Sequence, residues 1–258
     1  MNRVNGVYFS PTQTSERILI AAMEGYGNIP SSMVNLTYED SCSNYMGDDL
    51  VFFAFPVYSG RIPSIALERL TNLRGNGAKA VIIAVYGNRA FDDALLELAT
   101  VVESLGFSVI SAAAFIGEHS FSRENYPIAA GRPDSRDLEK ARGYGKMLFD
   151  RSGRVNGYQK PIIPGTRPYR EGSAKNTICP DTDENLCTLC LVCSGVCPTG
   201  AIDSSAPMET NGEKCIRCCA CIKICTEKAR AFHNPSIQAV TETLFRQFSE
   251  RREPELFF

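Results

Sequence analysis

Apolar positions along the first 150 residues fall into two rhythms. Residues 3–9, 50–55, 80–85 and 107–115 are short, nearly continuous apolar runs rich in β-branched and aromatic side chains, as expected of strands covered on both faces. Residues 15–23, 64–73, 90–105 and 137–149 instead place apolar side chains three and four apart, Ile18, Leu19 and Ala22 being one such set. That spacing predicts helices. Strands alternating with helices imply an α/β domain over residues 1–150, a doubly wound parallel sheet. The rhythm stops at residues 151–178, where three prolines, four glycines and six basic side chains against one acidic predict an extended basic linker. It returns within residues 233–258, where Ile237, Val240, Leu244, Phe245 and Phe248 predict a helix packed back on one domain or on a second subunit of a homodimer. The apolar Leu256, Phe257 and Phe258 read as a docked end or a partner contact.

Length and charge narrow the choices. A chain of 258 residues accommodates one ordinary domain and a small one. Its formal net charge of −2 gives no basic footprint for nucleic acid, and the longest apolar run, residues 78–86, has strand length rather than that of a membrane span. The front 150 residues carry 13 basic and 17 acidic side chains, so the basic linker has an acidic domain face or an acidic redox partner to dock on, or stays a solvated tether.

The densest chemistry lies in residues 179–232. Of eleven cysteines, eight form two runs: Cys187, Cys190, Cys193 and Cys197 read CxxCxxCxxxC with Pro198 next, and Cys215, Cys218, Cys221 and Cys225 repeat the spacing with Thr226 in place of the proline. Disulfides would require an oxidising compartment, which no apolar leader after Met1 indicates. Zinc sites built from CxxC pairs would leave the third cysteine of each run without a role. A tight CxxCxxC loop reaches three corners of a cubane cluster, so the fourth thiolate must come from the other run. The pattern resembles that of two-cluster bacterial ferredoxins. The resemblance implies a small α+β ferredoxin-like domain in which Cys187, Cys190, Cys193 and Cys225 hold one [4Fe–4S] cluster and Cys215, Cys218, Cys221 and Cys197 the second. Cys219 reads as a small buried residue, and Cys42 and Cys179 as free thiols.

In α/β sheets ligands bind beyond the carboxyl ends of the strands, which directs attention to three loops. The first, Ser10-Pro11-Thr12-Gln13-Thr14-Ser15, sets hydroxyls beside the amides of a helix start; this suits a phosphate and equally an N-cap. The second contains Pro56, Val57, Tyr58 and Ser59, the third Gly87, Asn88, Arg89 and Phe91. These loops resemble those of the flavodoxin family, which binds FMN. The resemblance implies the phosphate in loop one, the isoalloxazine ring along Pro56, Val57 and Tyr58, and closure of its other edge by Gly87, Asn88 and Arg89. Gln13 stands where the family often has glycine. Gly75-Asn76-Gly77 precedes a strand and reads as a turn, not as a dinucleotide fingerprint. Arg89 either steadies an anionic reduced flavin or pairs with Asp92 or Asp93 at a helix start. His119, just past a predicted strand, either passes protons to the flavin or is structural.

As a whole the chain resembles the flavodoxin–ferredoxin fusion proteins of anaerobic bacteria and archaea. The resemblance implies a cytoplasmic electron-transfer flavoprotein that takes electrons from a low-potential one-electron donor through two [4Fe–4S] clusters to FMN and on to a redox protein partner. The alternative is FMN-dependent reduction of a small molecule such as a quinone or dioxygen, with His119 and Tyr58 as the candidate proton donors.

Overall fold

A computed structural model of the chain describes residues 3–27, 32–38, 40–152, 158–172 and 177–258. The first 152 residues run β1 (Val4–Tyr8), α1 (Thr14–Tyr26), β2 (Ser32–Asn35), β3 (Ser43–Asn44), β4 (Leu50–Pro56), α2 (Ser64–Leu70), β5 (Leu73–Arg74), β6 (Lys79–Tyr86), α3 (Ala94–Ser104), β7 (Ser108–Ile116) and α4 (Ser135–Ser152). The remainder contains β8 (Asp181–Thr182), α5 (Val192–Gly195), α6 (Ala220–Ile224), β9 (Arg230–Ala231), α7 (Pro235–Gln247) and β10 (Glu255–Phe257).

Spatially the main sheet is ordered β10-β7-β6-β4-β1-β2, and every pair from β7 to β2 is parallel. With β3 and β5 set apart as their own pair, the five parallel strands take the 2-1-3-4-5 order of flavodoxin-like sheets. Side chains alternate faces along each strand. Val51, Phe53 and Phe55 of β4 join the core beneath α2 and α3, while Leu50, Phe52 and Ala54 join the one beneath α1 and α4. The two latter helices touch backbone to backbone: a Cβ on Gly25 would lie 1.9 Å from the Arg142 carbonyl oxygen, and one on Gly145 1.9 Å from that of Ala22. Both positions therefore require glycine.

Two strands differ from the sequence expectation. β2 is half-exposed at the sheet edge, so its four residues lack the continuous apolar run of the buried strands. β10 comes from the end of the chain and pairs antiparallel with β7, so the sheet is parallel with one antiparallel edge. The tail is fixed further by Ser111 Oγ donating to the Phe257 carbonyl at 2.7 Å and by Arg251 bridging Asp134 and Asp137 at 2.6 and 3.0 Å.

Within the basic linker, residues 153–157 and 173–176 lie outside the described residues. Residues 158–172 run as a strap on the first domain. Lys160 pairs with Glu103 at 2.6 Å, and the backbone amides of Thr166 and Arg170 donate to the two carboxylate oxygens of Asp93 at 2.8 and 2.7 Å. The cluster module closes on itself through the antiparallel β8–β9 pair. It is docked to the sheet domain by Arg69, which donates to the carbonyls of Leu36, Thr37 and Pro198, and by Lys223 paired with Glu118 at 2.7 Å.

Candidate functional site: two cysteine cages beside a cleft

Each cysteine run makes a loop followed by a short helix. In the first, Leu189 and Leu191 have positive φ of 56° and 64°; in the second, Arg217 and Cys219 match them at 56° and 63°. Left-handed residues alternating with ordinary ones turn successive N–H groups toward one point, an anion-binding concavity recurrent at iron–sulfur sites. Cys187, Cys190, Cys193 and Cys225 line one cavity, and Cys197, Cys215, Cys218 and Cys221 line another, so each cage takes three thiols from one run and one from the other. A single zinc would draw four sulfurs to within about 3.8 Å of one another, given Zn–S bonds of about 2.3 Å. Among the described residues no three Cys, His, Asp or Glu side chains converge on one ion-sized point, and sulfurs spread around a cavity suit a cluster. Burial pushes the thiol of Cys218 up to about 12 and that of Cys221 up to about 11, so these two thiols hold their protons near neutral pH and would release them on binding a cluster. Cys219 is also among the residues around the second cavity and is buried with Phe232 and Ile237.

The three sequence loops meet at the carboxyl ends of β1, β4, β6 and β7, around a cleft of about 810 Å³, within the usual range for a ligand site. Thr12 and Thr14 line it from loop one. Gln13 takes a left-handed φ of 62° and caps nothing with its side chain, which is the physical reason a glycine would serve there. Ser10 Oγ accepts from the Glu16 amide at 3.1 Å. Ser15 is fully buried, yet its Oγ has no hydrogen-bond partner among the described residues. Ser10, Gln13 and Ser15 are not among the residues lining the cleft, but the orphaned Ser15 hydroxyl adjoins Thr14, which is, in the first turn of a thirteen-residue helix, and suits the phosphate of FMN.

Pro56, Val57, Tyr58 and Ser59 all line the cleft. Tyr58 and Arg61 exchange backbone hydrogen bonds of 2.9 and 3.1 Å around Ser59 and Gly60, both at positive φ, a tight turn that presents the tyrosine. Burial, followed by the nearby thiols of Cys218 and Cys219, raises the Tyr58 phenol well above its ordinary value.

Loop three is only partly as expected. Gly87 and Arg89 line the cleft, but Asn88 and Phe91 do not. Asn88 is 1% exposed and its amide donates to the carbonyls of Phe248 and Glu250 at 2.6 and 2.7 Å. Phe91 packs into the core against Tyr86 and Phe257. Both are drawn inward by the tail, which the loop sequence does not reveal. Arg89 pairs with Asp92 while lining the cleft. His119 also lines it, with Nδ1 accepting from the Phe121 amide at 3.0 Å. Burial, then the charges of Lys223 and Arg89, lower its pKa to about 4, so near neutral pH it is uncharged and carries its proton on Nε2.

Other walls had no signal in the loops. Ile237, Val240 and Leu244 of α7, Arg170 of the strap, and Ile216 and Arg217 of the second cysteine run complete the cleft. Ile216 also lines the Cys197–Cys215–Cys218–Cys221 cage.

A family model described as "4Fe-4S binding domain" matches residues 180–203. Comparison with curated proteins finds no match. Among solved structures, the chain is similar to a flavodoxin from the domain Archaea at 12% identity and TM-score 0.41, covering 59% of this chain and 99% of that one. It is also similar to the flavodoxin of Megasphaera elsdenii, at 15% identity and TM-score 0.37 over 55% and 97% of the two chains, and to rubredoxin oxygen:oxidoreductase of Desulfovibrio gigas, at 14% and 0.39 over 57% and 35%. By strand order and cysteine pattern, the protein joins a flavodoxin-like domain to a ferredoxin-type iron–sulfur domain. No helix among the described residues is long and apolar enough to cross a membrane.

Proposed function

We propose that the chain is an electron-transfer flavoprotein of a reducing cytoplasm, carrying FMN in the cleft and a [4Fe–4S] cluster in each cage. The observation that carries this reading is the shared wall: Ile216 belongs both to the inner cage and to the cleft, so the two sites adjoin at this residue. The outer cage is open to solvent, with Cys190, Leu189 and Leu191 exposed, whereas Cys218 and Cys221 of the inner cage are buried. Electrons from a one-electron donor protein therefore enter at the outer cage, cross to the inner one and reach the cleft. Bound FMN supplies the exchange between one-electron and two-electron traffic. The protein's own part is to hold the phosphate at loop one, lay Tyr58 along the ring, and shield the cleft with α7 and the strap. Anaerobically purified protein is expected to contain about eight irons and one flavin per chain; four irons, or no flavin after addition of FMN, would refute the proposal.

A second reading, direct reduction of a small acceptor such as a quinone, draws on the size of the cleft and its apolar wall from α7. Neutral His119 offers an Nε2–H there, while the cleft carboxylates Glu97 and Glu118 are held in ion pairs with Arg61 and Lys223. Saturable turnover of a small acceptor in the absence of any partner protein would favour this reading over the carrier.

A further inference from the structure

The two halves of the cluster module are internal repeats, and Arg230 breaks their equivalence. Cys197-Pro198-Thr199-Gly200-Ala201-Ile202 aligns with Cys225-Thr226-Glu227-Lys228-Ala229-Arg230, and Gly200 and Lys228 share the same left-handed backbone, at φ 60° and 54°. Ala201 and Ala229 are each buried at 3% exposure. The next position is Ile202 in one half and Arg230 in the other, and both are 3% exposed. A cation thus sits in a slot that its repeat fills with a hydrocarbon.

A buried guanidinium costs several kcal/mol unless an opposite charge compensates it. Among the described residues no carboxylate forms an ion pair with Arg230. Nη1 donates to the Pro207 carbonyl at 2.9 Å and lies 3.8 Å from Cys193 Sγ; Nη2 donates to the Thr210 hydroxyl. Nε is buried and has no partner among the described residues. The side chain also lines the outer cage, and Thr210, which accepts from Nη2, lines the inner one. It therefore reaches a proposed ligand of the outer cage, Cys193, and a residue in the wall of the inner one, Thr210.

We infer that Arg230 is the internal counter-ion of both iron–sulfur clusters, its guanidinium held between the two cages. This rests on the two-cluster reading above. Four thiolates leave a cubane cluster anionic, and each one-electron reduction adds a further negative charge with no proton taken up. The buried cation offsets that charge in a low-dielectric setting, where screening by salt is weak, and hydrogen bonds to the sulfurs together with net charge set the potentials of such clusters. Arg230 consequently raises the potential of both clusters and eases the presence of an electron on each.

The test is an EPR-monitored anaerobic redox titration of the full-length, cluster-loaded protein and its variants. Arg230→Met and Arg230→Gln should each shift the oxidised-to-reduced ratio of both clusters about tenfold toward oxidised at a given potential, which is about 59 mV downward for a one-electron couple. The shift should persist in 1 M salt. Arg230→Lys should keep most of the wild-type value. Glutamine retains hydrogen bonding without charge, so wild-type potentials in Arg230→Gln would assign the residue to a structural clamp and overturn the inference, as would a shift confined to one cluster. Wild-type protein with fewer than two cubane signals would instead overturn the two-cluster reading itself.

Discussion

Ser15 is where a single atom says most about the front domain. Its buried, unpartnered Oγ is a desolvation cost in the empty protein that a phosphate oxygen would relieve, and a hydrogen bond to a charged group contributes about 1.5–3 kcal/mol. Ser15→Ala should therefore weaken FMN binding about tenfold or more while leaving riboflavin, which has no phosphate, unchanged; flavin fluorescence quenching measures both, and equal losses would place the hydroxyl away from the phosphate. His119 makes a prediction of opposite character. Its folded pKa of about 4 lies below the ordinary value of 6.5, so the unfolded chain takes up a proton that the folded one refuses. The stability due to neutral His119 is intact above pH 6.5 and is lost as the pH falls from there to 4. Urea midpoints compared at pH 7 and pH 4.5 should drop more for wild type than for His119→Asn, which keeps an acceptor for the Phe121 amide; equal drops would contradict the buried neutral imidazole. At this scale the grouping of three cysteines of one run with one of the other around each cavity was legible through the spacing and the resemblance to two-cluster ferredoxins. Arg230 was not singled out in the sequence, because only its burial beside the cavities makes the charge opposite Ile202 of the other repeat conspicuous.

Among the elements, β1, β4, β6 and β7 announced themselves because both faces are covered and their apolar runs are unbroken. β2 did not, since an edge strand with exposed or half-buried side chains carries no such run, and three residues of β10 are too few to show a period. The helical spacing of α7 was plain, but the sequence did not say that Ile237, Val240 and Leu244 would wall the cleft, because docking of a helix depends on surfaces far away in the chain. The same tail explains Asn88 and Phe91, whose side chains serve the junction with residues 248–257. Replacing Asn88 by alanine removes two short hydrogen bonds to carbonyls of the half-exposed tail, about 0.5–1.5 kcal/mol each. Asn88→Ala should lower the unfolding free energy by the two together and speed amide exchange in β10, as read by hydrogen-exchange mass spectrometry. Unchanged exchange there would mean that the Ser111 and Arg251 contacts hold the tail alone.

For the molecule as a whole, the two cysteine-lined cavities and the cleft come together because Arg69 and Lys223 pin the cluster module beside the carboxyl edge of the sheet. The outer cage faces solvent, the inner cage abuts the cleft through Ile216, and α7 and the strap cover the cleft. An anaerobic reductive titration of FMN-loaded protein, followed by visible absorbance and EPR together, tests this arrangement most directly. The account predicts that a flavin and two magnetically interacting [4Fe–4S] clusters titrate in the same chain. A flavin that titrates without cubane signals, or clusters that titrate in a protein unable to retain FMN, would contradict it.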